Sequence, residues 1–286
     1  MGKIIDGKLL AEIIKDKVVN GIVKINEGDI SCPKRPNLAI ILVGDRDDSK
    51  LYVSMKEREA KIVGIDTNLY KFDASMSEEE LISTITCLNK DENVDAILIQ
   101  LPLPKKFNTD KVIATMDPKK DVDRFHPDNQ KTFLGTCEHN HVMPPVYATV
   151  IEMLNSIKYN LENKNTVILA NSDIFGKGLA KSLKCLGAKT KVIGVDNKNL
   201  KEITSKADLL ITAVGKPEFI KKEMVKERAV IIDIGITKED KYVMGDVDFD
   251  DVKNKISYIT PVPGGVGPMT IAMLFKNTLA LYKKRH

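Results

Sequence analysis

The stretch "TVILANSDIFGKGLA", residues 166–180, runs from an apolar strand through a short polar turn into a helix that carries Gly176 and Gly178. That is the layout of a dinucleotide phosphate cradle, in which a strand hands the chain to a helix N-terminus. Ala170 stands where the first tight-turn glycine is expected, so the fingerprint alone is weak. What surrounds it decides the fold. "NTVILA" (165–170), a helix over 174–187, "TKVIGV" (190–195), "KADLLITAV" (206–214) and "AVIIDIGI" (229–236) alternate strand with helix, which predicts a parallel α/β sheet.

The same alternation fills the first half of the chain. Leu9, Leu10, Ile13, Ile14, Val18 and Ile22 recur at helical spacing over 6–27. "NLAIILVG" (37–44) is a continuous apolar run ending in glycine, as expected of a strand buried on both faces. A helix follows over 49–65, opened by Ser49 as N-cap, then a strand in "TNLYKFD", an acid-led helix in "SEEELISTITCLNKD" and a third strand at 94–104. "VMPPVYA" (142–148) interrupts the pattern. The predicted architecture is α/β with two doubly wound domains, the C-terminal one Rossmann-like, and an interdomain cleft. Residues 1–145 with a closing helix at 270–286 form the first domain and 146–269 the second.

A chain of 286 residues supports two such cores. Its net charge of +4 is spread out, with no basic block beyond "YKKRH", so nucleic-acid binding has no support. No apolar run approaches the ~20 residues that span a bilayer, and the charged N-terminus is not a signal peptide. A cytoplasmic protein without membrane contact is expected. The four cysteines lack CxxC spacing and are read as reduced thiols. "CEHNH" (137–141) is read as a surface loop rather than a metal site; no metal is expected.

Ligands of open α/β sheets gather beyond the carboxyl ends of the strands, which points to "VGDRDDS", "QLPLP", "ANSDIFGKG", "AVGKP", "DIGI" and "PVPGGVGPMT". Tyr52 and Lys56 are four residues apart and share one helical face. Gln100 ends an otherwise apolar strand, where an unpaired amide is costly. A glutamine beside a desolvated lysine is a plausible acid–base pair, because burial lowers a lysine's pKa. In "DPKKDVDRFHPDN" (117–129), Asp121 and Asp123 alternate, so one is expected to face the site and the other solvent.

Together "VGDRDDSKLYVSMKEREAKIVGI", "VDAILIQLPLP", "PKKDVD", "ADLLITAVGKPEFI", "GDVDF" and "PVPGGVGPMTIAMLFKNT" closely resemble the bifunctional methylenetetrahydrofolate dehydrogenase/methenyltetrahydrofolate cyclohydrolase enzymes. The matches run in order along the whole chain. The resemblance implies a homodimeric enzyme of one-carbon metabolism, supplying purine biosynthesis, that binds a tetrahydrofolate derivative and NADP or NAD. It implies hydrolysis of 5,10-methenyltetrahydrofolate to 10-formyltetrahydrofolate and NAD(P)-dependent oxidation of 5,10-methylenetetrahydrofolate. Carried over by position, Lys56 is the essential lysine, Gln100 supports it, Tyr52 packs on the folate and Asp123 binds the amino-pyrimidine edge of the pterin. Pro263, Gly264 and Gly265 line the folate pocket. A non-catalytic folate- or nucleotide-binding protein, the alternative class, has no need of the Lys56–Gln100 pair.

The cofactor half departs from that pattern. The family's Gly-Arg-Ser is Ala170-Asn171-Ser172, and its Ile-Val-Gly-x-Pro is Ile174-Phe175-Gly176-Lys177-Gly178. Its Pro-Cys-Thr-Pro-x-Gly hinge reads Pro144-Pro145-Val146-Tyr147-Ala148-Thr149, and its Cys-His-Ser-Arg-Thr reads Ile193-Gly194-Val195-Asp196-Asn197. Ala170, Asn171, Ser172, Gly176, Asp196, Gly215 and Ile236 are the candidate cofactor residues. Without the arginine, a 2′-phosphate loses a charged hydrogen bond, on the order of 1.5–3 kcal/mol or ~10–100-fold in affinity. Two readings remain. Asp196, 20 residues after Gly176, accepts the ribose 2′-OH of NAD, or the dehydrogenase is lost and a monofunctional cyclohydrolase remains; change in the hinge as well as the loop favours loss. Arg124 stands where the family has glycine.

Overall fold

A computed structural model describes residues 1–27, 33–137, 142–239 and 242–286. Cys32, His139 and His141 lie outside the described residues, and with them most of "CEHNH". The chain divides into two compact units, one of Glu12–Pro145 with Ile271–His286, the other of Met1–Ala11 with Val146–Thr270. The first eleven residues thus belong with the later unit, not with the domain that follows them in sequence. The reason is pairing: β1 (Lys3–Ile4) adds a parallel strand to Tyr258–Ile259, and Ile5 donates its amide to Ile259 O at 2.8 Å. Helix α1 (Gly7–Ile25) follows.

In the Glu12–Pro145 unit, β2 (Asn37–Val43) lies between β3 (Asp66–Phe72) and β4 (Ala96–Ile99), all parallel. The apolar run of β2 splits by parity: Leu38, Ile40 and Leu42 enter one core, Ala39 and Ile41 and Val43 the other. Period-two alternation with both faces apolar is what a central strand requires. Helix α2 (Asp47–Val63) begins two residues before the expected Ser49 cap. Ser49 is instead a buried helical residue whose hydroxyl has no partner, and Arg46 occupies the N-cap without a side-chain capping bond, its guanidinium donating to Asp48 instead. By contrast α3 (Glu78–Lys90) opens with a reciprocal capping box, Ser77 accepting from Glu80 N and Glu80 from Ser77 N. Helices α4 (Thr109–Thr115) and α5 (Pro127–Gly135) complete this unit's first segment.

After α6 (Pro145–Ser156) the second unit builds one parallel sheet. Its strands are β5 (Asn165–Ala170), β6 (Lys189–Ile193), β7 (Leu209–Ala213) and β8 (Val230–Asp233). A small antiparallel pair, β9 (Thr237–Glu239) and β10 (Tyr242–Met244), precedes β11 (Tyr258–Ile259). The sheet order β1-β11-β8-β7-β5-β6 reverses direction beside β5, the topological switch of a doubly wound fold. Helices α7 (Asp173–Cys185), α8 (Leu200–Thr204) and α9 (Phe249–Val252) connect these strands, and α10 (Val266–Arg285) closes the chain. Neither Cys137 nor Cys185 is a reduced thiol, against that expectation; linear spacing is silent on oxidation state. Cys87 is free and exposed. Among the described residues no helix is long and apolar enough to cross a membrane.

Two glycines of the opening stretch have a packing explanation. A Cβ on Gly176 would lie 2.5 Å from Val192 of β6, so glycine lets α7 sit close on the sheet. A Cβ on Gly178 would lie 2.5 Å from the Tyr147 hydroxyl and 2.9 Å from its ring. That tyrosine is buried, donates to Phe175 O at 3.1 Å and tilts against the Phe175 ring at 5.7 Å. Helical Gly→Ala normally gains up to ~1 kcal/mol, whereas overpacking costs about 1–3 kcal/mol. Gly178→Ala should therefore lower the urea midpoint, and the same change in a Tyr147→Leu background should raise it.

Candidate active site

The chemistry of the Glu12–Pro145 unit converges where α2, the end of β4 and the loop before α5 meet. Lys56, in the third turn of α2, donates from Nζ to Gln100 Oε1 at 2.9 Å. Gln100 is held in turn: its backbone amide donates to Ile41 O and its Nε2 to Leu101 O, both at 2.8 Å. With the NH₂ group engaged by the chain, the oxygen is what remains for the lysine. A neutral acceptor adds no countercharge, and burial pushes the Lys56 pKa down, opposed in part by the charge of Asp123.

Asp123 is half-buried, and its carboxyl is pushed up to about 6 by burial, with Lys56 pulling it back and Asp121 adding to the rise. Asp121 does not face solvent as alternation suggested. It is fully buried and accepts from Arg124 N at 2.9 Å, His126 N at 2.8 Å and Asn129 Nδ2 at 2.8 Å. Three donors outweigh the cost of burying it, so Asp121 shapes the loop and Asp123 carries the free carboxyl. Asn277 of α10 fixes the intervening residue by donating to Val122 O at 3.0 Å. Tyr52 lies half-buried one turn before Lys56 on α2, its phenol pushed up by burial.

Arg124 has φ of +62°, a left-handed conformation for which glycine is the unstrained residue. Its guanidinium donates to Pro118 O at 3.0 Å and lies in the field of Asp121. The arginine is thus turned toward its own loop.

In the other unit, Gly264 (φ +104°) accepts the Lys8 amide at 3.1 Å, and a Cβ on Gly265 would meet Pro261 O at 2.4 Å. The turn after Pro263 therefore needs both glycines on backbone grounds alone. At the carboxyl ends of β5 and β6 a cavity of about 500 Å³ is lined by Ala170, Asn171, Asp173, Lys177, Gly194 and Asp196. Asn171 donates to Val214 O at 2.7 Å, and Ser172 caps α7 by accepting the Phe175 amide at 3.3 Å. The cavity's lysine is paired: Lys177 donates to Asp173 at 2.9 Å. Gly215 (φ +64°) has open space where a Cβ would project, and Ile236 is exposed. Among the described residues no group of three or more His, Cys, Asp or Glu side chains is placed to hold a metal. Sequence reasoning missed the buried Asp233 and Asp246 beneath these loops; "GDVDF" was the available signal.

A family model described as the tetrahydrofolate dehydrogenase/cyclohydrolase catalytic domain matches residues 5–123, and one described as its NAD(P)-binding domain matches 144–286. A bifunctional protein FolD from Nitratiruptor sp. is 43% identical over 284 residues, covering 99% of each chain. The crystal structure of a FolD methylenetetrahydrofolate dehydrogenase/cyclohydrolase from Campylobacter jejuni superposes with a TM-score of 0.94 at 37% identity, covering 100% of both chains. A Trypanosoma brucei FolD complexed with NADP and inhibitor gives 0.93 at 30% identity, over 99% of this chain and 98% of that one.

Because Lys56 lowers the Asp123 pKa, Lys56→Met should raise it above the value near 6, read as the ¹³C carboxyl titration of labelled aspartate. An unchanged midpoint would mean the two side chains do not interact.

Proposed function

The chain belongs to the tetrahydrofolate dehydrogenase/cyclohydrolase family, and on that premise we propose that it hydrolyses 5,10-methenyltetrahydrofolate and oxidises 5,10-methylenetetrahydrofolate. The observation that carries the first activity is the 2.9 Å bond from Lys56 to a neutral, fixed amide. The methenyl substrate is an amidinium cation, so a fixed ammonium beside it would repel it. Burial lowers the Lys56 pKa and favours the neutral amine, which accepts a proton from the water attacking the one-carbon bridge. The new C–O bond takes its electrons from water and discharges the cation; the C–N bond to the ring nitrogen then breaks as that nitrogen takes the proton held by Lys56, and the hydroxyl gives up its own proton to solvent as the formyl C=O forms. Gln100 orients the amine without adding charge. Asp123 receives the amino-pyrimidine edge of the pterin and Tyr52 packs on the folate.

Bound NAD(P) supplies a hydride acceptor for the oxidation. The residues present fit a dinucleotide: the cavity at the ends of β5 and β6, the capped N-terminus of α7 and the uncrowded Gly215. Asn171 ties the loop after β5 to the loop after β7, and Asp196 and Asp173 set the charge at the cavity's rim. Retention of this activity has specific support. The hinge and loop departures at Tyr147 and Gly178 form one packing exchange, the ring filling space beside the glycine; they do not mark separate decay. With Lys177 neutralised by Asp173 and no arginine lining the cavity, NAD is favoured over NADP. A cytoplasmic homodimer is the assembly and place we assign to it.

Lys56→Met should lower methenyl hydrolysis by about 10²–10⁴-fold with unchanged circular dichroism; a variant keeping more than about a tenth of the rate would remove Lys56 from the role. Oxidation should show kcat/KM about 10–100-fold higher with NAD than with NADP, from one missing charged contact; parity would refute the charge argument.

A further inference from the structure

Asp233 and Asp246 take no part in either reaction as described, yet they are buried carboxylates at the carboxyl edge of the β7–β8 strands, exposed by 2% and 0%. Asp246 accepts three hydrogen bonds: from Thr212 Oγ1 at 2.8 Å, Val214 N at 2.8 Å and Lys216 N at 2.9 Å. Asp233 accepts three more, from Gly235 N at 2.9 Å, Asp246 N at 3.1 Å and Val247 N at 2.9 Å. The bonds interlock, since Asp233 holds the backbone of the residue whose side chain holds the loop after β7. Glycine is needed at both points of approach. A Cβ on Gly235 would lie 2.2 Å from the Asp246 carboxyl, and one on Gly245 2.1 Å from Asp233 Oδ2.

We propose that Asp246, with Asp233 behind it, is a positioning residue that holds the loop after β7 in the shape that receives the dinucleotide. The proposal rests on the reading that this unit binds NAD(P). Val214 and Lys216, whose amides Asp246 grips, flank Gly215. That residue alone in the tripeptide is left-handed, and the space above it is open. The grip therefore faces inward and leaves a bare backbone surface outward, at the edge of the sheet where ligands of this fold bind. Simple structural cohesion is a poorer account. Two neighbouring carboxylates repel, and burial with the Asp246 charge pushes the Asp233 carboxyl up to about 7, a cost that neutral acceptors would avoid.

Binding of NADH and NADPH, read by nicotinamide fluorescence in a chain that has no tryptophan, tests this on the full-length protein. Asp246→Asn should weaken binding of whichever dinucleotide the wild type takes by about 10-fold or more. KM for that dinucleotide should rise in step, kcat should hold within about threefold, and methenyl hydrolysis should stay within about twofold. A folded variant with wild-type affinity, or equal loss of both activities, overturns the positioning role while leaving the NAD(P) reading intact. Failure of the wild type to bind either dinucleotide overturns both. Should Asp246→Asn not fold, Thr212→Val removes one donor of the three; about threefold weaker binding supports the proposal, and unchanged affinity overturns it.

Discussion

A lysine whose hydrogen-bond acceptor is a neutral amide is the constraint on which the catalytic unit depends. Paired with a carboxylate, a half-buried ammonium is locked in its charged form. Paired with Gln100, it is hydrogen-bonded yet free to lose its proton, and burial pushes it that way. The arrangement demands that the glutamine present oxygen, not nitrogen, and the Leu101 carbonyl enforces that by taking the NH₂ group. The nearby Asp123 then modulates the lysine without contacting it as an ion pair, while Asp121, saturated with donors, acts on Asp123 only through its charge, adding to the rise of that carboxyl.

The parts of this design that depend on local pattern were legible in the residues. The parity of "NLAIILVG" identifies a strand sandwiched between two cores, and the four-residue step from Tyr52 to Lys56 places both on one face of α2. Glycines at 176 and 178 were legible as special but not for their reason, because Val192 and Tyr147 reach them only through the folded sheet. The Ser49 cap failed for a related cause: α2 extends into Asp47 and Asp48, acids that favour a helix N-terminus, and buries the serine. Asp121 and Asp123 look alike in "DVD". They are told apart by three donors from Arg124, His126 and Asn129, whose convergence is a property of the loop. The placement of residues 1–11 was illegible too, since a two-residue strand has no periodicity to read.

In the cofactor unit, departures from a family pattern are not independent of one another. Tyr147 and Gly178 lie 31 positions apart in sequence yet share one contact, so two apparent losses are a single exchange of volume. The charge pattern is of another kind. Asp196 and the Asp173–Lys177 pair line the cavity at the ends of β5 and β6 without disturbing the strands that frame it.

The Tyr147–Gly178 contact also makes two distant positions conditional on each other. A side chain at 178 meets the phenol, since even a single added carbon would lie 2.5 Å from its oxygen, whereas removing the ring leaves only a void, which a chain tolerates at a moderate loss of stability. What either position accepts therefore depends on the residue at the other, and a change at the hinge is read correctly only as a pair.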